Sequence, residues 1–386
     1  MKVLHVIPSL SAVHGGPSRA LALMERELAA LGVTVDTVTT DDDGPGRHNG
    51  RPCGVPLAEN GVTRRYFPKQ TDFYKAAPAM ALWLGRHARD YDLLHLHALF
   101  SFSTVVAARA ARRAGVPYIV RPLGTLSHYG VTQRRPWLKR ASLALFEGPA
   151  LRQAAAVHFT SEDEQREAAQ WIGATRGVVI PLGIEAAPVA DAALVRAQFP
   201  ALGDAPYLLY LSRLDPKKNV EGLLQAFSQV RPRWPQVKLL VAGDGAPDYV
   251  HALQTLAVQL GLTDGVIWAG HVDGALKASL LAGALAFVLP SFSENFGIAA
   301  AEALMAGKPC ILGQGVAIAR DVALAGAGLA VPPDPASIAA ALEHVMADSQ
   351  ARAIMAGQAL ALARDHYSAH AMGASLLHLY SGILNP

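Results

Sequence analysis

The 386-residue chain has only two cysteines, Cys53 and Cys310, in opposite halves. That scarcity excludes a disulfide framework or a cysteine metal site, removes redox chemistry from consideration, and suits a reducing cytoplasm. Charge is sparse too. Asp, Glu, Lys and Arg make up 17% of the residues and the net charge is +3, too mild a balance to indicate nucleic acid as a partner. No apolar run reaches the roughly 18 residues that a membrane span needs. The opening residues Met1 to Pro8 carry one lysine and no small-residue cleavage site behind them, so they read as a first buried strand rather than a secretion signal. A Gly-x-Gly-x-x-Gly fingerprint is missing after that strand, which takes away the best support for a dehydrogenase.

What the chain does have is apolar content, 51% of its residues, spread over a length that one core rarely serves. Short β-branched runs alternate with Ala/Leu/Arg-rich helical stretches, the pattern of a parallel sheet covered on both faces. In the first half the strands are expected at Val3 to Ile7, Val33 to Thr39, Leu93 to Leu96, Tyr118 to Arg121 and Ala156 to Thr160, with helices such as Ser18 to Leu31 and Ser103 to Ala114. The pattern restarts at Tyr207 to Ser212 and continues through Lys238 to Gly243, Val266 to Ala269, Ala286 to Leu289 and Pro309 to Leu312. The expected organisation is an α/β chain with a first Rossmann-like doubly wound domain over 1–185 and a second over 186–365. A terminal helical segment, 366–386, is expected to pack back on the first.

The densest chemistry lies in Ser293-Glu294-Asn295-Phe296-Gly297-Ile298 and the Ala-rich stretch that follows it, which contains Glu302. A strand, a loop and a helix start in that order expose backbone N–H groups and the positive end of a helix dipole, a site for a diphosphate. Glu294 can be a plain helix cap. Glu302, among alanines and Leu304, sits where an unpaired carboxylate would be costly, so it invites a partner or a ligand. Upstream, Arg213 and Lys218 end the first strand of the second half, where they can neutralise a leaving diphosphate.

Taken together, Ser-Glu-Asn-Phe-Gly followed by Ala-Glu-Ala, and Ser212-Arg213-Leu214 followed by Lys218-Asn219, resemble the motifs of family 4 retaining glycosyltransferases. Ser212 and Asn219 stand where that pattern usually has glycine. The resemblance implies the GT-B fold, two Rossmann-like domains facing a cleft, and a nucleotide-sugar donor. It implies an acceptor that is a glycan or is lipid-linked, no metal or other cofactor, and work in bacterial exopolysaccharide, capsule or lipopolysaccharide assembly. By position it gives Arg213, Lys218 and Glu294 to the transfer step, with His97 as a cleft residue beside them. The donor contacts it implies are Gly15, Gly16, Gly243, His271, Val272, Asn295, Phe296, Gly297, Ile298 and Glu302. Glu302 would hold the ribose, and 270–272 the base through backbone groups. Gly124 and His128 fall on the acceptor side.

Each weaker signal has a plainer reading. Gly15-Gly16 can be a tight turn. His95 and His97 point to one face of a strand, where a histidine can be a core residue. Asp41-Asp42-Asp43 lies in a Gly/Pro-rich loop and reads as a solvated acidic run rather than a metal site. The basic stretch Arg134-Arg135-Pro136-Trp137-Leu138-Lys139-Arg140 is either a solvated helix start or a contact with an anionic membrane surface at the inner face of the cytoplasmic membrane. Two rival functions share the architecture: a nucleotide-sugar epimerase, and a binding module without catalysis.

Overall fold

The computed structural model describes residues 1–14, 16–59, 61–127, 131–132 and 136–385. The chain forms two compact units, Met1–Gly183 together with Ala369–Pro386, and Ile184–Ser368. No helix among the described residues is long and apolar enough to cross a membrane.

The first unit is built on strands β1 (Lys2–Val6), β2 (Thr34–Thr40), β3 (Pro56–Glu59), β4 (Val62–Phe67), β5 (Leu93–His97), β6 (Tyr118–Arg121), β7 (Ala156–Phe159) and β8 (Gly177–Val179). They lie in the order β3-β4-β2-β1-β5-β6-β7-β8, parallel except for the β3/β4 hairpin. One face packs Leu4, Val6, Leu94, Leu96 and Val120 against the helices Pro78–His87, Phe102–Ala114 and Gly148–Gln153. The other packs Val3, Leu93 and Ile119 against the helix Gly16–Ala30, through Leu21, Met24 and Leu28, and against the helix Ala369–Leu384, through Met372, Leu376 and Tyr380. The hairpin escaped the periodicity reading because Val62–Phe67 places Arg64 and Arg65 in mid-strand. The fold accommodates Arg64 by pairing it with the buried Glu25 and, at 3.0 Å, with Glu59.

The second unit has six parallel strands: β9 (Tyr207–Leu211), β10 (Lys238–Ala242), β11 (Val266–Gly270), β12 (Ala286–Leu289), β13 (Cys310–Gly313) and β14 (Gly328–Val331). Their order is β11-β10-β9-β12-β13-β14. The central strands read as unbroken apolar runs, YLLYL in β9 and AFVL in β12, because helices cover both faces. Each buried Leu or Phe in such a strand contributes about 1.5–3 kcal/mol of transfer free energy. The winding reverses between β9 and β12, and open α/β sheets form their ligand crevice beyond the carboxyl ends of the strands at that reversal.

Candidate functional site

The loops leaving β9 and β12 carry the charged residues singled out in the second half. After β9, Asp215 caps a short 3-10 turn, Pro216–Lys218, by accepting a 3.0 Å hydrogen bond from the Lys217 amide. Asn219 follows in the left-handed region, φ 58° and ψ 44°, the conformation a glycine would take. Its amide side chain donates to the carbonyls of Pro290 (3.2 Å) and Pro333 (2.7 Å). The departure from glycine at this position therefore preserves the turn and adds two bonds. The Phe292 amide donates to the Lys217 carbonyl at 2.9 Å, tying the β9 loop to the β12 loop.

Lys218 is 9% exposed, and its ammonium donates to the Glu294 carboxylate. Burial lowers the Lys218 pKa to about 8, and the charge of Arg213 adds to the depression. The Asp215 carboxylate acts in the opposite sense. Glu294 is fixed through its backbone, its amide donating to Gly315 (2.9 Å) and its carbonyl accepting from Ala317 (3.0 Å). Arg213 is exposed beside them. The result is a cation pair with one carboxylate at the switch point, two positive groups for an anionic leaving group and one acceptor for hydroxyls.

The helix Ile298–Met305 begins at the same place. Gly297 precedes it at φ 92°, and a Cβ there would come within 3.0 Å of Val316. Asn295 and Ile298 are exposed at this helix start, with Ile298 41% exposed. Phe296 is not available as a side chain: it is 3% exposed and meets Tyr367 edge-on, so its part in the motif is to anchor the loop. Glu302, one helix face on, accepts a 2.6 Å hydrogen bond from Lys277 of the helix Gly274–Gly283. Sequence reading missed Lys277; it is the single charged residue of the helix, a signal visible once Glu302 needs a partner.

On the neighbouring strands, Gly243 has φ 142° and a Cβ would fall 1.9 Å from the Ser212 carbonyl, so only glycine lets β10 pass that close to the β9 loop. Its amide donates to Gly270 at 2.7 Å. His271 is open to solvent, with Asp244 and Asp273 each 4.0 Å away, whereas the Val272 side chain is buried.

In the first unit Gly16 opens the helix Gly16–Ala30, while Gly15 and His128 lie outside the described residues, as do Arg134 and Arg135. The Gly124 amide donates to Glu164 at 2.6 Å, and the same carboxylate accepts from Thr160, so the loops after β6 and β7 are locked together.

Two expectations are corrected here. His97 is not an open cleft residue: it is fully buried, its Nε2 2.8 Å from His5 Nδ1. The strand face it shares with His5 and His95 is covered by the helices Gly16–Ala30 and Ala369–Leu384, Tyr380 of the latter bonding His95 at 2.7 Å. Burial, then the charge of Arg121, lowers the pKa of His5 to about 3 and that of His158 to about 3; His95 and His97 are lowered by burial and by their ring neighbours. Ring nitrogens of His5, His95 and His97 lie within 4.8 Å of one another, close enough for a cation. The buried Arg121 guanidinium repels positive charge from that chamber, however, and the His5–His97 pair is already joined by a hydrogen bond. The cluster is a stack of neutral imidazoles.

The acidic run, second, is not solvated. Asp42 is fully buried, held by Lys69 (2.7 Å), Lys75 (2.5 Å) and His14 (2.6 Å), and Asp41 accepts from His48 at 2.8 Å. Burial pushes the Asp42 pKa up, but the bonds from Lys69, Lys75 and His14 outweigh it and hold the carboxyl well below the usual range.

A helix start with free backbone amides beside two cations, at the reversal of a doubly wound α/β sheet, is an arrangement that suits a phosphate group. Comparison narrows the class. Residues 192–360 match the family described as glycosyl transferases group 1, and residues 15–183 match the glycosyl transferase 4-like domain. A phosphatidyl-myo-inositol mannosyltransferase of Mycolicibacterium smegmatis is 30% identical over 307 residues, 78% of this chain and 72% of that one. A D-inositol 3-phosphate glycosyltransferase of Frankia alni is 28% identical over 96% of this chain and 95% of its own length. Among solved structures, Anabaena HepE in complex with UDP superposes with a TM-score of 0.78 at 22% identity, over 99% of this chain and 100% of that one. Sucrose-phosphate synthase of Thermosynechococcus elongatus gives 0.73 at 22% identity, over 99% of each. The chain belongs to the family 4, group 1 glycosyltransferases and has the GT-B fold.

Proposed function

We propose that this glycosyltransferase moves a sugar, with retention of anomeric configuration, from a nucleotide-diphosphate sugar to a glycan or lipid-linked acceptor in bacterial surface polysaccharide assembly. The observation that carries the donor reading is the Lys218–Glu294 pair, with Arg213, at the reversal between β9 and β12. Arg213 and Lys218 take up the charge that builds on the β-phosphate as the glycosidic bond breaks. Glu294 receives hydroxyls of the donor sugar, and Glu302, set by Lys277, receives those of the ribose. With two side-chain cations meeting the diphosphate, transfer proceeds without a metal, and EDTA leaves the rate unchanged. The UDP in HepE and the inositol-linked acceptors in the names of the two relatives support a nucleotide donor and a phosphorylated or lipid-borne acceptor.

On this proposal the protein meets its acceptor at the inner face of the cytoplasmic membrane. Its support is the helix Pro136–Ser142, where Lys139 and Arg140 accompany Trp137, 69% exposed, followed by exposed Leu145 and Phe146. The test of the donor site is thermal shift against UDP, GDP, ADP, TDP and their sugars. One nucleotide family is expected to raise the melting temperature of the wild type, and the rise to shrink in Glu302→Ala. No rise with any nucleotide would overturn the donor assignment.

A further inference from the structure

A groove of about 570 Å³ on the first unit is lined by Ala81, Gly85, Ala110, Arg89, Arg109 and Arg113, with Val106 and Ala114 completing the wall. It lies between the ends of the helices Pro78–His87 and Phe102–Ala114, just before β5 and β6 begin. That is the edge of the sheet opposite the carboxyl ends of the strands, so the groove is no part of the switch-point chemistry. Neither helix contains an acidic residue, and Arg89, Arg109 and Arg113 make no ion pair with any described residue.

Helix termini explain only part of this charge. Each carboxyl end carries about half a negative elementary charge, so two ends are balanced by about one cation. Three guanidinium groups over a floor of alanine and glycine exceed that, and small side chains leave the space for a ligand that arginine's forked donors suit. We propose that this groove is a second anion site, binding a phosphate or diphosphate group independently of the donor. The phosphate is borne either by a lipid headgroup or by a soluble metabolite.

Equilibrium dialysis of pyrophosphate with the full-length protein tests it. Wild type is expected to bind one equivalent more than R89Q/R109Q/R113Q, while R86Q/R112Q, which removes charge from the same helices outside the groove, keeps that equivalent. Vesicle sedimentation separates the sources. A triple variant that loses binding to phosphatidylglycerol vesicles assigns the groove to a headgroup; one that loses only the pyrophosphate equivalent assigns it to a soluble ligand. Circular dichroism and melting temperature confirm that the variants fold. Equal pyrophosphate stoichiometry and equal vesicle binding in wild type and R89Q/R109Q/R113Q would overturn the proposal, as would loss of the equivalent in R86Q/R112Q.

Discussion

The two units treat buried charge in opposite ways. In the first, Glu25, Arg64, Asp42, Lys69, Arg121, Glu147 and Glu164 are all buried, along with four histidines, whereas in Ile184–Ser368 the one buried charged side chain is Lys218. Both sheets are doubly wound, so architecture does not account for the difference. In the first unit Asp42 closes on Lys69 and Arg64 on Glu25, while Glu147 and Glu164 take hydroxyl and amide donors, and these bonds hold loops and the hairpin. In the second, the lone buried cation bonds the partly exposed Glu294 carboxylate at the switch point. A buried charge is thus a pointer to chemistry only where the surrounding unit otherwise avoids them.

The contrast can be broken in five ways. Acid should separate the units most. The folded first unit holds His5, His95, His97 and His158 below their unfolded pKa, so the unfolded chain binds more protons between about pH 3 and 6.5. Stability from these groups is complete above pH 6.5 and is lost as pH falls below it, by about 2 kcal/mol each at pH 5 for His5 and His158, with His95 and His97 acting in the same direction. Hydrogen exchange at pH 7 and pH 5, corrected for intrinsic rates, should show opening of β5 and β7 with little change in β12. Equal loss in both would end the comparison.

Asp42→Ala is next. It removes the carboxylate that Lys69, Lys75 and His14 share, leaves Lys69 only Asp72 and the Gly44 carbonyl, and should cost about 2–3 kcal/mol of stability by urea denaturation, with donor affinity unchanged. Lys218→Ala should do the reverse: kcat falls about 10²–10³-fold while the melting temperature barely moves. For the wild type, kcat/KM should decline tenfold per unit as pH rises above about 8, where the Lys218 ammonium loses its proton, and a bound diphosphate should push that limb upward in kcat. A flat profile to pH 9.5 would remove Lys218 from the transfer step. The smallest effect is Glu302→Ala, about tenfold in nucleotide affinity by calorimetry, a figure that Lys277→Ala should share in part.

Much of the second unit was legible because its chemistry is local. Glu294 to Glu302 is one strand-loop-helix segment, and the turn at Asn219 lies next to the lysine it presents. Lys277 was hidden because its partner is 25 residues away on another helix. In the first unit the distances in sequence grow, and the reading fails with them. Asp42 looks solvated until Lys69, 27 residues on, arrives from beyond the hairpin. Alternation correctly sends His95 and His97 to one face, but it does not say that Tyr380, 285 residues after His95, closes over that face.

The helix Ala369–Leu384 gives the chain an unusual order of completion. Residues 184–368 are one contiguous compact unit, so they can fold once they clear the ribosome. The first unit, though synthesised earlier, lacks Met372, Leu376 and Tyr380 until the helix Ala369–Leu384 emerges. Its apolar face must wait, through the synthesis of an entire second domain, for the segment that covers it. The nascent protein is therefore most exposed to aggregation, and most in need of a chaperone, in the half that was made first.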